Sequence, residues 1–245
     1  MALTDHDSTD GVGEATAAGA ELGVRVVPGV ELSTELPGVS IHVLGLFLDE
    51  QRPAFQERVG QFRAARIERA QRMVDALARL GVPVRLERVL EIAGEGSVGR
   101  PHVAQALLEA GHVASIAEAF DRYLARDRPA YFEGFRLAPA EAVELVHSVG
   151  GLAAWAHPLE LDGRDWRASL PALLEAGVDG LEVYYGKPYP SAATDDLLGA
   201  CREHDLVPTV GSDYHGFASM DALPGSVVAP PDLLDRLEAR LRRRA

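Results

Sequence analysis

The chain has 245 residues, of which 47% are hydrophobic and 25% charged, a composition that excludes a disordered or fibrous protein. Its formal net charge of −13 argues against binding duplex DNA through bulk positive charge. No apolar run approaches the roughly 20 residues of a membrane span, and the single cysteine, Cys201, excludes internal disulfides and predicts a reducing, cytoplasmic location.

Short β-branched runs bounded by Gly or Pro alternate along the chain with helical patterns. The predicted strands are 24–32, 40–48, 151–156, 178–185 and 207–212. The predicted helices of the same part are 11–22, 139–149, 167–176, 191–204 and 231–244. Strands that alternate with helices of this length indicate βα units, and therefore an α/β fold with a parallel sheet or barrel.

Residues 53–134 break this alternation. Apolar residues at helical spacing from Phe55 to Leu80 predict one long amphipathic helix, and shorter helices are predicted at 85–93, 101–110 and 115–125. We therefore predict a barrel domain formed by 1–52 and 135–245. The segment 53–134 is predicted to be an inserted helical subdomain suited to cap a site.

Polar clusters lie at or just after the ends of the predicted strands. They are Thr4-Asp5-His6-Asp7, Glu31 with His42, His157 before Pro158, and Ser212-Asp213-Tyr214-His215. Ligands of α/β sheets and barrels bind at the carboxyl ends of the strands, so we expect these clusters to converge. Taken singly, each cluster also has a structural interpretation, such as a turn at His157. Together they predict a shared site of imidazoles and carboxylates, which suits Mn²⁺, Fe²⁺ or Zn²⁺.

The same segments carry a resemblance to a known family. In chain order, LTDHDSTDG, PGVELS, IHVLG, AHP and GSDYH resemble the motifs of the PHP (polymerase and histidinol phosphatase) family of metal-dependent phosphoesterases. The match runs over nearly the whole chain. Within the helical insert, Gly99-Arg100-Pro101-His102 resembles the branch that dephosphorylates nucleoside 3′,5′-bisphosphates and trims RNA from its 5′ end.

This resemblance implies a distorted (β/α)7 TIM-like barrel with a helical insertion. Up to three metal ions, manganese or alternatively iron or zinc, would lie at the carboxyl ends of the strands. The family opens with a His-x-His unit that this sequence does not show. We therefore expect the first βα unit to be missing, and the ligands of the first and second metal ions to be incomplete.

The family's ligand positions map onto residues of this chain. The implied ligands are His6, Glu31, His42, His157, Asp213 and His215. The resemblance implies that Glu31 bridges two ions and that His42 and His157 complete the set of the third. It also implies that His6 and His215 hold the second ion, and that Asp213 joins Glu31 at the first.

The implied reaction is metal-assisted hydrolysis of a phosphomonoester on a small nucleotide, a nucleoside 3′,5′-bisphosphate, or on short RNA 5′ ends. Arg100 and His102 are candidates for binding phosphate, because a guanidinium fork matches two phosphate oxygens. Entry of a helix at Pro101 is the alternative interpretation of the same pair. No residue is assigned as general acid.

Two other functions remain open on the sequence. One is a phosphatase of the histidinol-phosphate type, against which the helical insert argues. The other is an N-terminally truncated, metal-poor and catalytically impaired protein of the same fold, which the lack of a His-x-His unit favours.

Overall fold

The computed structural model describes residues 1–94, 96–161, 163–187, 189–216 and 222–244. The chain forms two compact units, Met1–Phe55 together with Arg136–Ala245, and Gln56–Phe135. The predicted boundaries at residues 53 and 135 stay a prediction, because compactness alone does not show that either unit folds as a separate domain. Among the described residues, no helix is long and apolar enough to cross a membrane.

One six-stranded sheet forms the framework of the first unit in the described part of the chain. Its strands are β1 (Ala2–Leu3), β2 (Val27–Leu36), β3 (Val39–Leu46), β4 (Leu152–Trp155), β5 (Gly180–Tyr185) and β6 (Val207–Gly211). Their order in the sheet is their order in the chain. β1 is parallel to β2, and β4, β5 and β6 run parallel in turn. The predicted strands and the α/β distorted-barrel fold are confirmed.

The third strand corrects the expectation of an all-parallel sheet, because β3 runs antiparallel to both of its neighbours. Only Pro37 and Gly38 join β2 to β3, and Gly38 adopts a φ of 72°. A turn of two residues reverses the chain, whereas a parallel connection needs about a dozen residues or more. The resulting hairpin pairs Glu31 with Leu44. His42, two residues from Leu44, therefore faces the same side of the sheet as Glu31.

The helices agree with the predicted pattern. They are α1 (Val12–Leu22), α2 (Pro53–Arg79), α3 (Leu86–Ala93), α4 (Arg100–Glu109), α5 (Ile116–Ala119), α6 (Pro139–Ser148), α7 (Leu170–Ala176), α8 (Ser191–Glu203) and α9 (Leu233–Arg244). The predicted helix at 115–125 is instead a short α5 followed by a π-helical turn, Phe120–Leu124. The helix at 167–176 begins with a 3₁₀ turn, Trp166–Ala168, before α7.

The core of the first unit is built from the sheet. Val30 and Leu32 of β2, Val43 of β3 and Trp155 of β4 are completely buried. Glu31, which lies between two of these residues and points to the other face, is also buried at 5% exposure. Side chains on both faces of β2 are therefore buried, and on one face the buried side chain is the Glu31 carboxylate.

The second unit has a core of its own. Leu77 of α2, Val89 of α3, and Val103 and Leu107 of α4 are completely buried in it. Leu80 continues the apolar pattern of the predicted long helix, but it is exposed because α2 ends at Arg79. The helical character predicted for this segment therefore holds, with a slightly shorter first helix.

We expect Gly29→Ala to lower the free energy of unfolding by about 1–3 kcal/mol, the usual result of overpacking. A Cβ at Gly29 would lie 2.8 Å from the carbonyl oxygen of Leu3 and 2.9 Å from that of Gly45. Gly60→Ala on the exposed side of α2 is the control, because no atom lies within 4 Å of the added Cβ. This control should gain about 0.5–1 kcal/mol from helix propensity. Denaturant unfolding measures both, and an unchanged Gly29→Ala midpoint would contradict the packing argument.

Candidate metal centre

All six predicted metal ligands belong to the first unit. They are His6 after β1, Glu31 within β2, His42 within β3, His157 after β4, and Asp213 and His215 after β6. Glu31 is the best buried of them. Two main-chain hydrogen bonds hold Glu31. Its N–H donates to the carbonyl oxygen of Asp5, and its own carbonyl oxygen accepts the N–H of Asp7. The segment that carries His6 is therefore tied directly to the strand that carries Glu31.

Two imidazoles converge on one carboxylate oxygen. His42 Nδ1 lies 2.6 Å from Glu31 Oε1, and His157 Nε2 lies 3.2 Å from the same oxygen. The two imidazole nitrogens are 3.0 Å apart. Ligands that share one divalent ion at about 2.1 Å lie roughly 3.0–3.4 Å from each other. The 3.0 and 3.2 Å separations to His157 Nε2 suit ligands of one metal ion, whereas the 2.6 Å between His42 Nδ1 and Glu31 Oε1 is a short hydrogen bond that an ion bound between them would replace.

A second pair of imidazoles lies beside this triangle. His6 Nδ1 is 3.7 Å from Glu31 Oε1, and the donor atoms of His6, Glu31 and His42 all lie within 4.8 Å of one another. His215 Nε2 is 3.4 Å from His6 Nε2. His215 Nδ1 lies 2.8 Å from the carbonyl oxygen of Asp213. A carbonyl only accepts, so Nδ1 carries the proton and the lone pair of Nε2 faces His6.

The Asp213 carboxylate is held from the neighbouring strand. The hydroxyl of Tyr185, on β5, donates to Asp213 Oδ2 at 2.6 Å. His215 Nδ1 lies 3.7 Å from the other carboxylate oxygen. The structure therefore joins Asp213 to His215, and His215 in turn to the imidazole of His6.

The electrostatics of the centre follow from burial and from these contacts. Burial alone would raise the pKa of Glu31, but the nearby imidazoles of His6 and His42 hold it well below its usual value. Burial would lower the pKa of His157, yet its hydrogen bond to Glu31 raises that pKa to about 9. At neutral pH the metal-free centre therefore holds an ionised Glu31 and a protonated His157. A metal ion bound here takes the place of that proton.

Several residues at this edge of the sheet adopt left-handed backbone conformations. Asp7, His157 and Asp213 have φ values of 51°, 30° and 53°. Such values are uncommon for residues other than glycine and tend to occur at functional sites. The Asp7 carboxylate accepts the N–H of Ser33 at 2.8 Å. Asp7 therefore fastens the turn after β1 to β2.

Sequence reasoning missed two residues of β5. Glu182 is buried, and its Oε2 accepts the N–H of His157 at 2.7 Å. Tyr185 is the residue that donates to Asp213. Burial raises the pKa of Glu182 to about 7. The available signal was a glutamate inside the otherwise apolar and aromatic run of β5, since a buried carboxylate needs a partner.

The two predicted phosphate-binding residues lie in the second unit, at the start of α4. The N–H of Gly99 donates to His102 Nδ1 at 3.0 Å, so His102 caps the helix in the manner of a capping-box residue. Burial, together with Arg66, lowers the pKa of His102. Arg100 Nη1 donates to the carbonyl of Leu124 at 3.4 Å. Both residues thus lie in the first turn of α4, as the alternative interpretation expected. Their contact with phosphate stays a prediction.

No family model matches the chain. It is 33% identical over 219 residues to the 5′-3′ exoribonuclease Rnm of Escherichia coli (strain K12), covering 88% of this chain and 74% of that protein. It is 33% identical over 222 residues to a 3′,5′-nucleoside bisphosphate phosphatase of Chromobacterium violaceum, covering 88% and 76%. A solved structure from Bifidobacterium adolescentis, described as a metal-dependent phosphoesterase, has a TM-score of 0.87 and 31% identity over 98% of this chain and 85% of that one.

Together, the distorted barrel, the cluster of imidazoles around a buried carboxylate and these relatives define a metal-dependent phosphoesterase. The resemblance noted in the sequence motifs is confirmed at this level. The chain belongs to the PHP family of phosphoesterases.

We expect Tyr185→Phe to lower the free energy of unfolding of the metal-free protein by about 1.5–3 kcal/mol, the usual contribution of a hydrogen bond to a charged acceptor. The substitution removes the donor to Asp213 Oδ2 and leaves the ring in place. Tyr184→Phe, one residue earlier on β5, is the matched control and should change the stability by less than about 0.5 kcal/mol. Equal effects of the two substitutions in urea unfolding would contradict this account.

Proposed function

We propose that the chain hydrolyses a phosphomonoester of a nucleoside 3′,5′-bisphosphate, or acts on the 5′ end of short RNA, with divalent metal ions as cofactors. The observation that carries the proposal is the triangle of Glu31 Oε1, His42 Nδ1 and His157 Nε2. Both substrates have support among the relatives, because an exoribonuclease and a bisphosphate phosphatase are each 33% identical to this chain.

The residues that would hold the ions are the six predicted imidazoles and carboxylates, of which Glu31 and His42 lie within β2 and β3 and the other four follow the ends of their strands. Glu31 would be shared between ions, His42 and His157 would serve one of them, and His6 and His215 another. Asp213 would serve a further ion together with Glu31. Imidazole and carboxylate ligands without a thiolate suit manganese, iron or zinc, and manganese is the ion that we propose. Divalent ions in such a site activate water and neutralise charge on the phosphoryl oxygens.

The protein's own residues prepare this centre before any ion arrives. Glu31 supplies a buried negative charge, and an ion pair with a buried charge is screened less than one at the surface. The hydroxyl of Tyr185 holds the Asp213 carboxylate in one orientation. The carbonyl of Asp213 fixes the tautomer of His215. These contacts reduce the rearrangement that binding would need.

Arg100 and His102 remain our candidates for binding the substrate phosphate. With Nδ1 accepting from Gly99 and a lowered pKa, the His102 ring is neutral at pH 7 and carries its proton on Nε2. It therefore offers one N–H donor. Arg100 adds a permanent positive charge at the N-terminal end of α4, where the helix dipole also favours an anion.

Product analysis with Mn²⁺ tests the function. We expect inorganic phosphate from a nucleoside 3′,5′-bisphosphate or mononucleotides from 5′-phosphorylated short RNA, and no phosphate from the nucleoside 5′-monophosphate. His157→Ala should lower kcat/KM at least about 100-fold, because loss of an outer-shell partner alone costs about 10–100-fold. His204→Ala, at the end of α8, is the control histidine. Activity that survives chelation, or an active His157→Ala variant, would exclude the proposal.

Paired substitutions of His102 separate capping from phosphate binding. Glutamine also caps at this position, so His102→Gln should keep the stability, whereas His102→Ala should lose about 1 kcal/mol. Both variants lose the imidazole N–H, and we expect KM to rise about tenfold in each, the equivalent of one hydrogen bond. A wild-type KM for His102→Gln would show that the residue only caps the helix.

A further inference from the structure

Two buried carboxylates beside β5 bind the two ends of the neighbouring strand β4. Asp179, just before β5, accepts the N–H of Ala153 at 3.0 Å. Glu182, within β5, accepts the N–H of His157 at 2.7 Å, just beyond the end of β4. Asp179 and Glu182 are 6% and 4% exposed. A buried carboxylate therefore accepts a main-chain N–H at each end of β4. The Asp179 contact is at the start of the strand, and the Glu182 contact is on the main chain of the proposed ligand His157.

The conformation of His157 makes this contact unusual. Its φ of 30° is a value that residues other than glycine adopt rarely, and surrounding contacts must maintain it. Its ring meets Glu31 and His42 through Nε2. Its other nitrogen, Nδ1, is buried and has no hydrogen-bond partner among the described residues. Metal-binding histidines usually donate from that second nitrogen to a partner that orients the ring.

The chain makes room for the Glu182 carboxylate beside His157. β5 contains a register shift after Glu182, which pairs with Thr209, while Tyr185 pairs with Gly211. The extra residue, Val183, places Glu182 and Tyr185 on the same face, so both reach the ligand edge. A Cβ on Gly211 would overlap Glu182 Oε1, so only glycine leaves that space open.

We propose that Glu182 is a positioning residue that holds the main chain of His157, and thereby the direction of its Nε2, for metal binding. The inference rests on the proposed metal site. Because Nδ1 has no hydrogen-bond partner in the described structure, no contact on that side orients the ring, and the backbone at His157 shares this role with the contacts of Nε2. The Glu182 carboxylate is the acceptor for the N–H at that point. What the contact requires is an acceptor oxygen at this position, not a negative charge.

Calorimetric titration of the purified protein with Mn²⁺ tests the proposal without relying on activity. Glu182→Met fills the same space without an acceptor oxygen, and we expect the Mn²⁺ affinity to fall about 10–100-fold, as for lost outer-shell partners. Glu182→Gln keeps an acceptor oxygen, and its affinity should stay within about threefold of the wild type. If Glu182→Met does not fold, Glu182→Asp replaces it, because the shorter side chain moves the acceptor oxygen away from the N–H of His157. We expect the same loss of Mn²⁺ affinity in that variant.

Asp179→Ala is the matched control. It removes a buried carboxylate that also accepts a main-chain N–H of β4, so it should lower the melting temperature but leave the Mn²⁺ affinity unchanged. Wild-type affinity in the Glu182→Met variant, or in Glu182→Asp, would overturn the proposal. So would an equal loss of affinity in Asp179→Ala. If the wild type itself bound no Mn²⁺, the proposed metal site would fall, and this inference with it.

Discussion

The carboxylate of Glu31 lies in the middle of a strand whose flanking residues, Val30 and Leu32, are completely buried. An ionised carboxylate in such a place costs several kcal/mol unless charged or hydrogen-bonding partners offset the lost hydration. The partners here are the imidazoles of His6, which follows β1, of His42, within β3, and of His157, which follows β4. The convergence of these side chains on Glu31 therefore offsets the cost of its buried charge and also prepares the site for a cation.

The main chain carries much of this preparation. The proposed ligands just beyond strand ends have left the ladder of sheet hydrogen bonds, and two of them, His157 and Asp213, adopt strained φ values. Beyond the paired strand residues, side chains accept main-chain N–H groups instead. Asp7 binds the N–H of Ser33, and Glu182 binds the N–H of His157. Buried carboxylates that accept main-chain donors thus fix ligands that the sheet itself no longer holds.

The sequence was sufficient to predict the strands, most helices and a convergence of His and Glu residues, because strand ends are marked locally by Gly, Pro and polar residues. It was insufficient where the geometry depends on pairing. Pro37 and Gly38 are ordinary turn residues, but no local pattern shows that β3 also pairs antiparallel with β4, which lies more than 100 residues further along the chain. Glu182 and Tyr185 lie three apart and would face opposite sides of a regular strand. The register shift in β5 places them on the same face, and no local sequence pattern predicts that shift.

The net charge of −13 sets a condition on the order of binding. An anionic substrate that approaches the protein feels charges within about 8 Å at physiological ionic strength, and more distant ones are screened. Near the proposed site, those charges include the carboxylates of Glu31 and Asp213 and, when ionised, Glu182. In the metal-free protein the protonated His157 opposes them directly. On the proposed function, divalent ions must therefore reverse the local field before a phosphate can bind, so metal binding comes first and substrate second.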